Sequence, residues 1–162
     1  MERSKLILIG AILGGVALIL FILRATVGGS GGIEINLRES LTDHLTMIEL
    51  STTASQQEGN PDTQAIAASI TSTAASDYTQ LAAYYESDFG APPTEGDPEA
   101  IESLARAGEN FNQVYRELVT ATLQASRTNL FALQANAAHD DFAAAIEVAL
   151  ANHEAHLSRL AR

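Results

Sequence analysis

Apolar positions along the chain follow two regimes. From Leu6 to Leu23 the sequence reads LILIGAILGGVALILFIL, 18 consecutive residues without a charge or a strongly polar group. From Ile35 onward apolar residues recur every three to four positions with polar residues between them, the period of an amphipathic α-helix. Alternating runs of β-branched residues bounded by turns, which would mark strands, are absent from the sequence. The pattern predicts an all-α chain with an apolar N-terminal helix.

Turn signals divide the periodic part. A first helix is expected from about Ile35 to Gln57, with a stripe of Leu37, Leu41, Leu45 and Ile48 and with Met47, Leu50 and Ala54 beside it. Glu58-Gly59-Asn60-Pro61 stops it. A second is expected from Asp62 to Phe89, carrying Ile70, Ala74, Tyr78, Leu81, Tyr85 and Phe89, until Gly90-Ala91-Pro92-Pro93 breaks it. Asp97-Pro98-Glu99 reads as an N-cap followed by proline at the first helical position, opening a short helix to about Ala107. A third long helix is expected from Glu109 to Ala137, with Phe111, Val114, Tyr115, Leu118, Thr122 and Ala125 facing inward. The fourth starts at His139-Asp140, where Asp140 and Asp141 suit a cap and the helix dipole, and its stripe runs from Phe142 through Ile146, Ala149, Leu150, His153 and Leu157 to Leu160. Four long helices with short first and last turns and a longer middle crossing predict an antiparallel four-helix bundle over residues 33–162.

At 1.5 Å per residue the apolar run spans about 27 Å, close to the hydrocarbon thickness of a bilayer. Arg3 and Lys5 precede it and Arg24 follows, so residues 1–27 are expected to form a single transmembrane anchor with a cytoplasmic N-terminus. The bundle is then expected outside the cytoplasm, at a bacterial inner membrane. A cleaved signal peptide is the competing reading, but its apolar region usually covers only about 7–15 residues. Arg24 also stands where a small-x-small cleavage site belongs. Gly10, Gly14 and Gly15 form a GxxxG notch suited to a second membrane helix. Residues 28–32, Gly-Gly-Ser-Gly-Gly, read as a flexible tether.

Composition narrows the chemistry. The chain has 162 residues, a formal net charge of −11 and no cysteine. Disulfides, iron–sulfur clusters and thiolate zinc sites are therefore excluded. From Ile33 onward 19 acidic residues face 6 arginines, a net charge of −13. Such a surface repels nucleic acid and suits a basic protein partner, cations or plain solubility.

Several short stretches have a familiar order. They are Ile48-Glu49-Leu50; Asn60-Pro61 with Ala65-Ile66-Ala67; Asp77-Tyr78-Thr79 with Leu81; Gly90-Ala91-Pro92-Pro93; Phe111-Asn112 with Tyr115; and Leu150 with His156-Leu157. From about Ile48 to the C-terminus the chain resembles the bacterial envelope family called domain of unknown function 4142, which implies a ferritin-like helical bundle. The chain departs from that pattern at Tyr78 and near Thr122, where the family usually has histidines, and at Ala151, where it usually has proline. What those histidines do in relatives is therefore not carried over to this chain.

Candidate chemistry is sparse. A di-iron centre in a bundle needs Glu-x-x-His, and no histidine here has glutamate three residues before it. His153 and His156 share one helical face and are weak candidates for a shared metal ion. A hydrogen-bonded core histidine is the commoner outcome in an apolar stripe. His44 beside Asp43 forms no recognisable motif. No Gly-x-Ser-x-Gly elbow and no phosphate-cradling glycine loop is present. Tyr84 and Tyr85 are candidate interface anchors, with core packing as the plainer alternative.

The expectation is a protein without catalytic residues and without a cofactor, an accessory subunit of a larger membrane complex of photosynthetic or respiratory type. Its expected partners are other membrane-protein subunits and the lipid around the anchor. A ferritin-like metal- or cofactor-binding bundle is the alternative, and a free-standing envelope stress or sensor protein is a third.

Overall fold

A computed structural model describes residues 30–57, 60–137 and 139–162. The chain divides into two compact units, Met1–Gly32 and Ile33–Arg162, and the core described below belongs to the second. Its helices are α1 (Ser30–Gln56), α2 (Pro61–Phe89), α3 (Pro98–Ala105), α4 (Phe111–Gln134) and α5 (Asp140–Leu160), with a 3-10 turn, Gly108–Asn110, leading into α4. No strand occurs among the described residues.

Two expectations are corrected. The expected architecture is a membrane span followed by a four-helix bundle; the described residues form five helices, and none of them is long and apolar enough to cross a membrane. The long helices are amphipathic, and α2 carries Asp62, Asp77, Glu86 and Asp88 along its length. The apolar run Leu6–Leu23, with Gly10, Gly14 and Gly15, lies outside the described residues. A single-pass inner-membrane location, an external domain and lipid contacts therefore have no support in the described structure. The fifth helix is the short α3, which Asp97 nucleates by accepting from Glu99 N–H at 2.9 Å ahead of Pro98. The tether is shortened as well: Ser30, Gly31 and Gly32 belong to α1.

Local chemistry sets the other ends. Asn60 Oδ1 accepts from the backbone N–H groups of Asp62 and Thr63, both at 3.1 Å, so the residue expected to stop α1 in fact starts α2. Gly90 ends α2 with φ of 97°, a region that a side chain disfavours. At α5 the capping position is His139 without a side-chain cap bond, and Asp140 and Asp141 sit in the first turn, where they complement the dipole.

The core consists of two apolar clusters. One joins Leu37 and Leu41 of α1, Leu81 and Tyr85 of α2, Leu130 and Leu133 of α4, and Phe142, Ile146 and Ala149 of α5. The other joins Met47, Leu50 and Ala54, then Ala67, Ile70 and Ala74, then Tyr115, Val119 and Leu123, with Leu104 of α3 and Leu160 of α5. Membership gives the topology: α1 and α5 run one way, α2 and α4 the other. α5 packs along both α2 and α4. The segment Gly90–Asp97 with α3 returns the chain from one end of the core to the other.

Between the clusters each long helix places a buried polar residue: His44 on α1, Asp77 on α2, Ser126 on α4 and His153 on α5. This layer corrects the expected stripes. On α4 the inward face is Tyr115, Val119, Leu123, Ser126, Asn129, Leu130 and Leu133, while Ala125 is exposed. On α1, Ser40, His44 and Ser51 are fully buried where Leu45 and Ile48 are only partly so. Choosing apolar residues for the stripe skipped the polar ones that occupy its middle.

Candidate metal centre

The two histidines of the layer are built alike. His44 Nδ1 lies 2.6 Å from the carbonyl oxygen of Ser40, and His153 Nδ1 lies 2.6 Å from that of Ala149. A carbonyl only accepts, so each Nδ1 carries the proton and donates it. That fixes both rings in the tautomer with a bare Nε2 lone pair. Both Nε2 atoms are buried and have no hydrogen-bond partner. The rings face each other with centroids 5.1 Å apart, tilted by 60°.

Burial decides their charge. It lowers the pKa of His44 to about 4, against a smaller opposing effect of the Ser40 bond. His153 falls to about 3, first through burial and then through the neighbouring charge of His44, with His156 and Arg127 adding to the fall and the Ala149 bond opposing it. Both are neutral imidazoles at pH 7, the form that ligates metals.

Asp77 supplies the third group. It is 3 % exposed, and its two carboxylate oxygens accept from Asn152 Nδ2 at 2.9 and 3.0 Å. Burial raises its pKa, and the Asn152 bond partly offsets this. One ligand atom from each of His44, Asp77 and His153 lies within 4.8 Å of the other two.

The layer is therefore unbalanced. Two imidazoles and a carboxylate with spare acceptor capacity lie side by side, and no donor answers either Nε2. Leaving buried acceptors unmet costs about 1–3 kcal/mol each. Arg127, a nearby cation, is taken up elsewhere: it pairs with Glu154 at 3.4 Å, and its guanidinium stands 5.3 Å from the centroid of the Phe131 ring. A cation at the centre would satisfy all three groups. Ligand atoms around a tetrahedral zinc ion stand roughly 3.4 Å apart, given bonds of about 2.0–2.1 Å. The side chains would close on an ion by about an ångström, with the Nδ1 donors and Asn152 as the outer contacts that hold ligands in orientation.

The sequence candidates fare unevenly. His153 is in the group, but with His44 and Asp77 across the core rather than with His156 one turn along. His156 Nε2 instead meets Thr73 Oγ1 at 2.7 Å. The Thr73 hydroxyl donates back to the Ser69 and Ile70 carbonyls, so the imidazole donates to it. Tyr85 is a core residue, 3 % exposed and packed against Phe89. Tyr84 is partly buried against Phe142, with ring centroids 4.9 Å apart. Sequence reasoning missed His44 and Asp77. The available signal was a polar residue standing midway along the apolar stripe of a helix.

The chain matches no protein-family model, no curated protein and no solved structure. The resemblance to the ferritin-like envelope family stays an expectation, and function is read from the site's own geometry.

Proposed function

We propose that this protein binds a single divalent first-row transition ion through His44 Nε2, His153 Nε2 and a carboxylate oxygen of Asp77. The observation that carries the reading is a pair of histidines with buried, unpartnered Nε2 atoms, each placing a ring nitrogen within 4.8 Å of the other and of an Asp77 carboxylate oxygen. Two imidazoles and one carboxylate suit zinc or ferrous iron better than calcium or magnesium, which prefer all-oxygen shells. Three protein ligands leave a fourth position for water or a small ligand. The ion would tie α1, α2 and α5 together at mid-height, so binding would also stabilise the fold.

Titration of the metal-stripped full-length chain with cobalt(II), followed by its visible absorption, tests the proposal. One equivalent should bind with tetrahedral-type bands, and His44→Ala with His153→Ala should abolish them. The double variant keeps every surface carboxylate. Binding that survives in it, or no stoichiometric binding by the native chain, would refute the reading.

A further inference from the structure

His44, Asp77 and His153 are all 3 % exposed or less, so an ion reaches them only if a helix moves. The seams of α5 are cross-linked by polar bonds at and below this level: Asn152 to Asp77, His156 to Thr73, and Arg159 to Ser69 at 3.1 Å. Helix α1 is bonded to α4 through Ser40–Ser126 at 3.1 Å, Asn129–Asp43 at 3.4 Å and Ser51–Tyr115 at 3.0 Å. Between α1 and α2 it is the crossing segment Gly90–Asp97 that bridges the two helices like a strap, fastened next to two of the three ligands.

The first fastening is on α2. Tyr78, adjacent to Asp77, donates its hydroxyl to the Pro93 carbonyl at 2.5 Å. The second is on α1, two residues beyond His44. Thr46 Oγ1 accepts from Asp97 N–H at 2.7 Å, and Glu49 Oε1 accepts more weakly from Gly96 N–H at 3.4 Å. Gly96 sits so close that a Cβ there would stand 2.7 Å from Thr46 N and 2.8 Å from Thr46 Cα. Those are backbone atoms of a helix and cannot step aside, so only glycine lets the strap lie flat. Neither fastening contributes a ligand atom.

We propose that the strap Gly90–Asp97 gates the metal centre, holding α1 over the site and releasing it when an ion passes. This rests on the metal-binding reading above. A gate changes how fast an ion enters and leaves without changing how well it is held, because the strap touches neither ion nor ligand. Lifting it should raise association and release rates together.

Two variants of the full-length chain lift it by unrelated means: Gly96→Ala by collision with Thr46, and Tyr78→Phe by loss of the Pro93 bond. Cobalt(II) association is followed after rapid mixing, and release is followed after addition of excess chelator. Each variant should speed both processes about tenfold, the factor matching loss of one hydrogen bond, with the dissociation constant changed less than about threefold. Amide exchange in residues 90–97 reports whether the strap has loosened. A loosened strap with unchanged rates overturns the gate while leaving the metal site standing. Faster release with a matching loss of affinity overturns it too, because the strap would then be positioning ligands. A native chain that takes up no cobalt overturns the metal-binding reading and the gate with it.

Discussion

Taking the metal-free protein from about pH 7.5 to about pH 5 charges imidazoles in the unfolded chain that stay neutral in the folded one. His44 has an ordinary pKa of 6.5 and a folded one of about 4. Its folded pKa is depressed, so its share of stability is intact above pH 6.5 and is lost as the pH falls toward 4. Each unit of that window costs about 1.4 kcal/mol, so reaching pH 5 costs about 2 kcal/mol for His44. His153, depressed to about 3, adds a similar amount. The sum, about 4 kcal/mol, is a large part of the 5–15 kcal/mol typical of a domain. Urea unfolding of the chelator-treated chain, followed by circular dichroism, should show the midpoint falling by roughly 2 M between the two pH values. His44→Leu should remove roughly half of that fall, because leucine cannot take up the proton. If the double variant His44→Leu, His153→Leu loses as much stability at pH 5 as the native chain, the two imidazoles are not the source and the argument fails.

Three other outcomes are expected. Zinc at a hundredfold excess over its dissociation constant should stabilise the fold by about 2.7 kcal/mol, raising the melting temperature by roughly 8 °C in a scanning calorimeter. Asp77→Asn should abolish that rise while the metal-free protein becomes more stable at pH 7. The folded pKa of Asp77 is raised, so its ionisation weakens the apo fold as pH climbs through that value, and asparagine has no such proton to lose. A metal-free variant less stable than the native chain at pH 7 would contradict this. Tyr115→Phe should cost about 1 kcal/mol in urea unfolding, since the buried Tyr115 hydroxyl and Ser51 Oγ meet at 3.0 Å and Ser51 would be left unpaired. A neutral result there would mean that Ser51 finds another partner.

Helix existence and most ends were legible in the sequence because they depend on neighbouring residues. Asn60-Pro61, Gly90 and Asp97-Pro98 act through caps and backbone conformation within a turn or two. The apolar stripes were legible in outline, since Leu37, Leu41, Ile70, Leu81 and Ile146 recur at the helical period and are all buried. Reading them by apolarity alone misplaced the inward face of α4 at Ala125 and passed over Ser126. The metal candidate was misread for a similar reason. Spacing along one helix paired His153 with His156, yet the partners that matter lie on α1 and α2. The extra helix α3 was visible from its cap, but its weight in the core, through Leu104, was not.

The sequence by itself determined an all-α chain, an acidic surface, the absence of thiol chemistry and the principal helix ends, because composition and short-range bonding need no knowledge of topology. Only the tertiary structure decided that His44, Asp77 and His153 meet. Their separations along the chain are set by turn and crossing lengths, and registry between helices comes from how the two apolar clusters pack. It also decided that Gly96 is needed against Thr46, a close approach between a crossing segment and a helix that no local pattern encodes.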